Sequence, residues 1–178
     1  MSEERQESAS RQQINSELLM EALYSEKIDD FRAEFLDLHP YDQAEFFSEL
    51  DDEDRAKVYT FLSPEEMADL FENLEADEED FKDVLAQMNP NYAADMLSNM
   101  YADDAVDVLN ELDKDQVASY LTIMDEDAAQ EIKDLLHYEE YTAGSIMTTE
   151  FIAISANQTV RSAMYILKKE APQAETIY

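Results

Sequence analysis

The chain has 178 residues, 44 of them acidic against 12 basic, for a formal net charge of −32. Such a surface repels nucleic-acid phosphates and anionic lipid headgroups, and the absence of Cys excludes disulfides and thiolate metal sites. A hydrophobic content of 45% excludes an acidic disordered tail, and the single glycine, Gly144, excludes a phosphate-cradling loop, a dinucleotide fingerprint and a standard EF-hand loop.

Residues 1–16 are polar and charged with no apolar period, and are expected to be disordered. No signal peptide opens the chain and no stretch is long and apolar enough to cross a bilayer, so no insertion into a membrane is expected. Helical spacing begins with Leu18, Leu19, Ala22 and Leu23 and resumes with Ile28, Phe31, Phe35 and Leu38, with a break at residues 25–29.

A twelve-residue repeat follows over residues 39–136. It reads HPYDQAEFFSEL, DDEDRAKVYTFL, SPEEMADLFENL, a longer EADEEDFKDVLAQM, NPNYAADMLSNM, YADDAVDVLNEL, DKDQVASYLTIM and DEDAAQEIKDLL. Every unit closes on Leu or Met. Position one is His39, Asp51, Ser63, Asn89, Tyr101, Asp113 or Asp125. Asp, Ser and Asn there accept from the free N–H groups of a first helical turn. Pro40, Pro64 and Pro90 follow at position two, where a missing N–H costs nothing. Acidic residues crowd the next two places and suit the positive end of the helix dipole.

The apolar places are five or six, eight, nine and twelve, one stripe per unit. Small residues near position six (Ala44, Ala56, Ala68, Ala94, Ala118) predict close approach of neighbouring helices. Helices of about nine residues are marginal alone in water. They are expected to stack as hairpins into a compact superhelix. The two extra residues of the fourth unit predict a change of winding at residues 75–80. A stack of short helices presents a long surface and no closed pocket, which favours a binding or regulatory module. No nucleophile or third group stands beside the carboxylate pairs, so no enzyme is expected. On charge alone, multivalent cations that bind the folded form would relieve its self-repulsion and stabilise it; the plain alternative is a solvated acidic surface.

After residue 136 the period breaks. Residues 151–154 (FIAI) favour a strand, and a helix is expected from Thr159 to about Lys169, with Val160, Ala163, Met164 and Leu167 on one face. Pro172 ends it, and residues 176–178 read as the start of another strand. One helix between two strand pieces is no stable sheet, so the chain is expected to be part of a longer one.

The segments YEEYTAGSIMT at residues 138–148 and APQAETIY at residues 171–178 resemble the MgtE magnesium channels, and the repeat is similar to that family's N domain. The resemblance implies a mainly α fold, a right-handed superhelix of short helical hairpins, followed by a truncated α/β CBS domain. It implies an N-type domain at 17–137, a linker at 138–147 and the start of the first CBS domain at 148–178.

The implied role is magnesium sensing: ions bridge acidic faces of neighbouring domains and favour a closed pore, in a homodimer whose partners are its own CBS and transmembrane domains. Magnesium would be a weak, regulatory ligand. An adenine nucleotide would need a complete CBS pair. The implied cation-facing residues are Asp95, Asp103, Asp104 and Asp107 on the polar faces of the fifth and sixth units. Asn91 would offer an amide oxygen where the family can carry an acid, and Gly144 and Ser145 a backbone carbonyl. The plain alternatives are solvated helix faces for the carboxylates and a turn requirement for Gly144. His39 and His137 read as capping or dipole partners. The alternative function is a structural scaffold for protein partners, similar to flagellar motor switch superhelices.

Overall fold

Each repeat unit folds into one helix that starts at or just after its second position. A computed structural model describes residues 15–74, 78–139, 142–171 and 174, with the backbone alone at 78–80. The expectations for residues 1–14, for the winding at 75–77, and for Pro172 and the strand at 176–178 lie outside the described residues. We number the helices α1 (residues 15–24), α2 (Ile28–Leu36), α3 (Pro40–Ser48), α4 (Asp52–Phe61), α5 (Pro64–Phe71), α6 (Glu78–Gln87), α7 (Pro90–Asn99), α8 (Ala102–Asn110), α9 (Lys114–Ile123), α10 (Glu126–Leu136) and α11 (Val160–Glu170). A short 3-10 turn lies at Gly144–Ile146. Among the described residues no helix is long and apolar enough to cross a membrane.

Position one does the capping the spacing predicts. The Asp51 carboxylate accepts from the Asp54 N–H at 3.0 Å, Asn89 Oδ1 from the Asn91 N–H at 2.9 Å and Asp125 Oδ1 from the Asp127 N–H at 3.0 Å. His39 Nδ1 accepts from the Tyr41 N–H at 3.2 Å. Ser63 and Glu66 form a reciprocal capping box. With no glycine to close them, most helices run directly into the next cap through residues in ordinary right-handed or extended backbone. The exception is α1. It closes in a Schellman turn, with Lys27 N–H on Ala22 O and Glu26 N–H on Leu23 O. Glu26 takes the left-handed backbone there, at φ 52°.

Helices pack on their second neighbours: α2 on α4, α3 on α5, α5 on α7, α7 on α9 and α8 on α10. This is how stripes too short to stand alone are covered on a repeating path. The core opens with aromatic rings, Phe31 stacked on Phe35 at 5.2 Å and edge-on to Phe61 at 5.5 Å. It continues through the fully buried Met67, Leu70, Leu85, Met96, Leu97, Leu109 and Ile132.

Two expectations need correction. Ala44, Ala68 and Ala94 are buried at helix contacts, but Ala56 and Ala118 are exposed. In α4 the buried face runs through Asp54, Val58, Tyr59 and Phe61, which turns Ala56 outward. In α9 no residue is buried, because that helix covers α7 from outside. The strand expected at 151–154 is also absent among the described residues. The run at 151–154 has no regular secondary structure and pairs with no strand, and Phe151 stays exposed. Strand propensity needs a neighbouring backbone to satisfy its N–H and C=O groups. The helix of that region does form, capped by Thr159 Oγ1 on the Ser162 N–H.

Candidate functional site

One repeat unit opens with a residue that cannot cap. Tyr101 stands at position one of the sixth unit, and its side chain makes no capping hydrogen bond to α8. Carboxylates from elsewhere take that place. Glu72, at the end of α5, accepts from the Tyr101 N–H at 3.0 Å. Glu150, beyond the repeat, accepts from the Ala102 N–H at 3.0 Å. Asp103 and Asp104 add two further carboxylates in the first turn of α8. The α8 N-terminus is thus ringed by acids on three separate segments.

The electrostatic consequence falls on Glu72. Its pKa is pushed up to about 7, first by burial and then by the charges of Asp104, Asp69 and Asp103, against the Tyr101 hydrogen bond. Partial desolvation also raises Asp69, helped by Glu65 and Glu66, and raises Asp107, although both residues are exposed. Glu72, Asp69, Asp103 and Asp104 share one negatively charged neighbourhood, with Glu72 half-buried and Asp69 exposed, in which a cation would relieve the mutual repulsion.

The candidates read from the sequence divide. Asp103 and Asp104 lie within this acidic ring. Asp107 is one turn further along α8 and exposed. Asn91 and Asp95 sit one turn apart on the exposed face of α7. Asp95 lines a separate open groove of about 510 Å³ with Ser63, Glu65, Ser98, Asn99 and Asp125.

Gly144 and Ser145 are in the 3-10 turn, which packs on α10. Ser145 Oγ donates to Thr142 O at 3.0 Å and so ties that turn to itself. Gly144 is not in left-handed backbone. It is required because a Cβ there would overlap the Tyr138 ring. Gly144→Ala is therefore expected to swing that ring away and loosen residues 142–147, at about 1–2 kcal/mol. Faster amide exchange confined to this turn is the measurement that checks it.

Glu72, Asp69 and Glu150 were not singled out by sequence reasoning. The signal that points to them is Tyr101 itself, because a cap position filled by a non-capping residue requires an acceptor from another segment. The donor chemistry suits a hard cation: every side chain of the ring offers carboxylate oxygen. Among the described residues, no group of three or more His, Cys, Asp or Glu side chains is close enough to hold a metal ion.

The profile of the MgtE intracellular N domain matches residues 38–141. The chain belongs to the MgtE intracellular N domain family. It is 57% identical to the magnesium transporter MgtE of Enterococcus faecalis over 161 residues, 90% of this chain and 36% of that protein. The magnesium transporter MgtE of Bacillus subtilis is 31% identical over 151 residues, 85% of this chain and 33% of its own. That of Thermus thermophilus is 30% identical over 161 residues, 90% of this chain and 36% of its own. The chain thus spans about a third of the length of these curated relatives. The fold matches the crystal structure of the soluble part of a magnesium transporter, with a TM-score of 0.89 and 55% identity, over 94% of this chain and 65% of that one. It also matches the cytosolic domain of the Mg2+ channel MgtE in complex with ATP, with a TM-score of 0.78 and 29% identity, over 92% of this chain and 66% of that one. MgtE is thus a family of transporters, and the expected mainly α, MgtE-type fold is the one observed.

Proposed function

We propose that this chain is the magnesium-sensing, regulatory part of an MgtE-type transporter, on the cytoplasmic face of the membrane. It comprises an N-type domain at 17–137, a linker at 138–147 and the beginning of a CBS domain at 148–178. The observation that carries the reading is the acidic ring at the α8 N-terminus, where Glu72, Asp103 and Asp104 meet the segment that follows the repeat through Glu150. Hydrated magnesium would bridge these carboxylates, with Asp95, Asp107 and the Asn91 amide as further contacts and Gly144 and Ser145 offering backbone carbonyls.

The mechanism needs only a difference in affinity. Without cations the acidic faces repel and the domains separate; with cations they are drawn together, and the closed pore is favoured. The pore, the homodimer and the remaining CBS domains belong to the full-length transporter. Adenine-nucleotide binding belongs to the completed CBS pair, a reading supported by the ATP complex of the second structural neighbour.

A magnesium titration at fixed ionic strength, with matched potassium chloride, tests this. Magnesium at about tenfold over its Kd should add about 1.4 kcal/mol, a rise of about 3–5 °C in Tm for a chain of this size, with a smaller solution radius. If the two salts act alike, the acidic ring is only solvated charge and the scaffold reading stands in its place.

A further inference from the structure

We propose that Glu150 is a latch that fastens the segment following the repeat onto the N-terminus of α8. The latch rests on contacts within the chain and not on the cation reading. One oxygen of Glu150 accepts from the Ala102 N–H at 3.0 Å. The other is held by three donors of its own segment: Thr148 Oγ1 at 3.1 Å, Thr149 N–H at 3.1 Å and Thr149 Oγ1 at 3.0 Å. The Glu150 N–H in turn donates to Thr148 Oγ1 at 3.3 Å. The carboxylate is therefore pre-set by its neighbours, with one oxygen left for the helix. That helix end needs it, because Tyr101 supplies no cap.

The contact spans 48 residues and lies immediately before the exposed Phe151. A further contact of this region with the repeat, the 3-10 turn on α10, lies before it in the chain. Undocking Glu150 would strip a cap from α8 and free residues 148–154 together. The same turn carries Asp103 and Asp104, with Glu72 beside it, so the latch closes on a site crowded with like charge. That makes it a contact set to open, not a permanent weld.

The repeat itself suggests the test. Three units place Pro at position two, and Ala102 holds that position here. Ala102→Pro removes the N–H that Glu150 accepts, puts the ring Cδ in its seat, and suits the first turn of a helix. Tyr101 already has the extended backbone that a following proline demands, at φ −58° and ψ 141°.

In the full chain, chymotrypsin cleavage after Phe151 is measured for the native protein, Glu150→Ala, Glu150→Gln and Ala102→Pro. The expected result is cleavage about tenfold faster in Glu150→Ala and Ala102→Pro, with Glu150→Gln between them and native, because its single oxygen can serve the Ala102 N–H or the Thr149 N–H but not both. Because Ala102 is itself buried, cleavage at the buried Phe71 is followed in parallel: a rise confined to Phe151 marks an open latch, and an equal rise at both sites overturns it. Native-rate cleavage in either Glu150→Ala or Ala102→Pro overturns the latch.

Discussion

Replacing Arg32 with Met is expected to destabilise the fold by about 2–3 kcal/mol, or roughly 5–10 °C in Tm. The guanidinium reaches from α2 to the junction of α4 and α5. There it holds both oxygens of Glu66, at 2.6 Å and 2.5 Å, and the Phe61 carbonyl at 2.8 Å. Glu66 is simultaneously half of the capping box that starts α5, accepting from the Ser63 N–H at 2.8 Å. Burial works against its charge, but the Arg32 and Ser63 hydrogen bonds together hold its pKa below the usual carboxylate value.

Removing Arg32 leaves that charge facing no cation and the carbonyl facing no donor, which costs more than the pair is worth intact. Arg32 is about one-third exposed, at 34%, so the loss falls short of that for a fully buried pair. Lysine should not restore it, because the contact is a two-pronged fork. Glu66→Gln keeps an oxygen for the Ser63 N–H and drops the charge. The double variant with Arg32→Met should therefore recover about 1 kcal/mol relative to additivity. Chemical denaturation of the four proteins measures this. Strict additivity would mean that the fork contributes only packing.

The repeat was legible because its information is local. Asp51, Ser63, Asn89 and Asp125 carry a capping oxygen at the residue where a helix starts, and each satisfies N–H groups within three places of itself. The same locality explains what was missed. The caps of α8 come from residues 29 and 48 positions away, and no window on the sequence joins them. Glu72 occupies position ten of its unit, where the other units carry ordinary polar residues such as Thr60, Ser98 and Asn110, so nothing marks it in isolation. Which face of a nine-residue helix turns inward is set by partners two units away, and so Ala56 and Ala118 point out while Ala68 and Ala94 point in. Gly144 invited a turn reading, but its constraint is the Tyr138 ring, a contact with no sequence signature of its own.

Between pH 5 and pH 8, without divalent cations, stability is expected to fall as the pH rises, by roughly 1–2 kcal/mol. The group responsible is Glu72, whose pKa rises from 4.5 unfolded to about 7 folded. Over that window the folded chain binds more protons than the unfolded one, so raising the pH favours unfolding. The penalty is absent below pH 4.5 and complete above about pH 7. The shift would be worth about 3 kcal/mol for a fully buried group; the half-buried carboxylate retains part of that after solvent screening. The pKa values of Asp69 and Asp107 are raised in the same direction from 3.8, but both residues are exposed, so the loss is assigned to Glu72.

Glu66 and Asp54 act oppositely. Their folded pKa values are lowered from 4.5 and 3.8, so the stability they contribute is lost only as the pH falls below those values. The two windows therefore separate. Acid weakens the Arg32–Glu66 fork and the ion pair in which Lys57 Nζ donates to Asp54 Oδ1 at 2.8 Å, below about pH 4.5, while mild alkali charges the ring at α8. Glu72→Gln keeps an oxygen for the Tyr101 N–H and cannot ionise. It should flatten the profile between pH 5 and pH 8 and be the more stable protein at pH 8. An unchanged slope would assign the loss to other carboxylates. Magnesium held by the ring would replace the lost proton, so its stabilising effect should be larger at pH 8 than at pH 5, and smaller in Glu72→Gln than in the native chain. Equal effects at both pH values would place the ion away from Glu72.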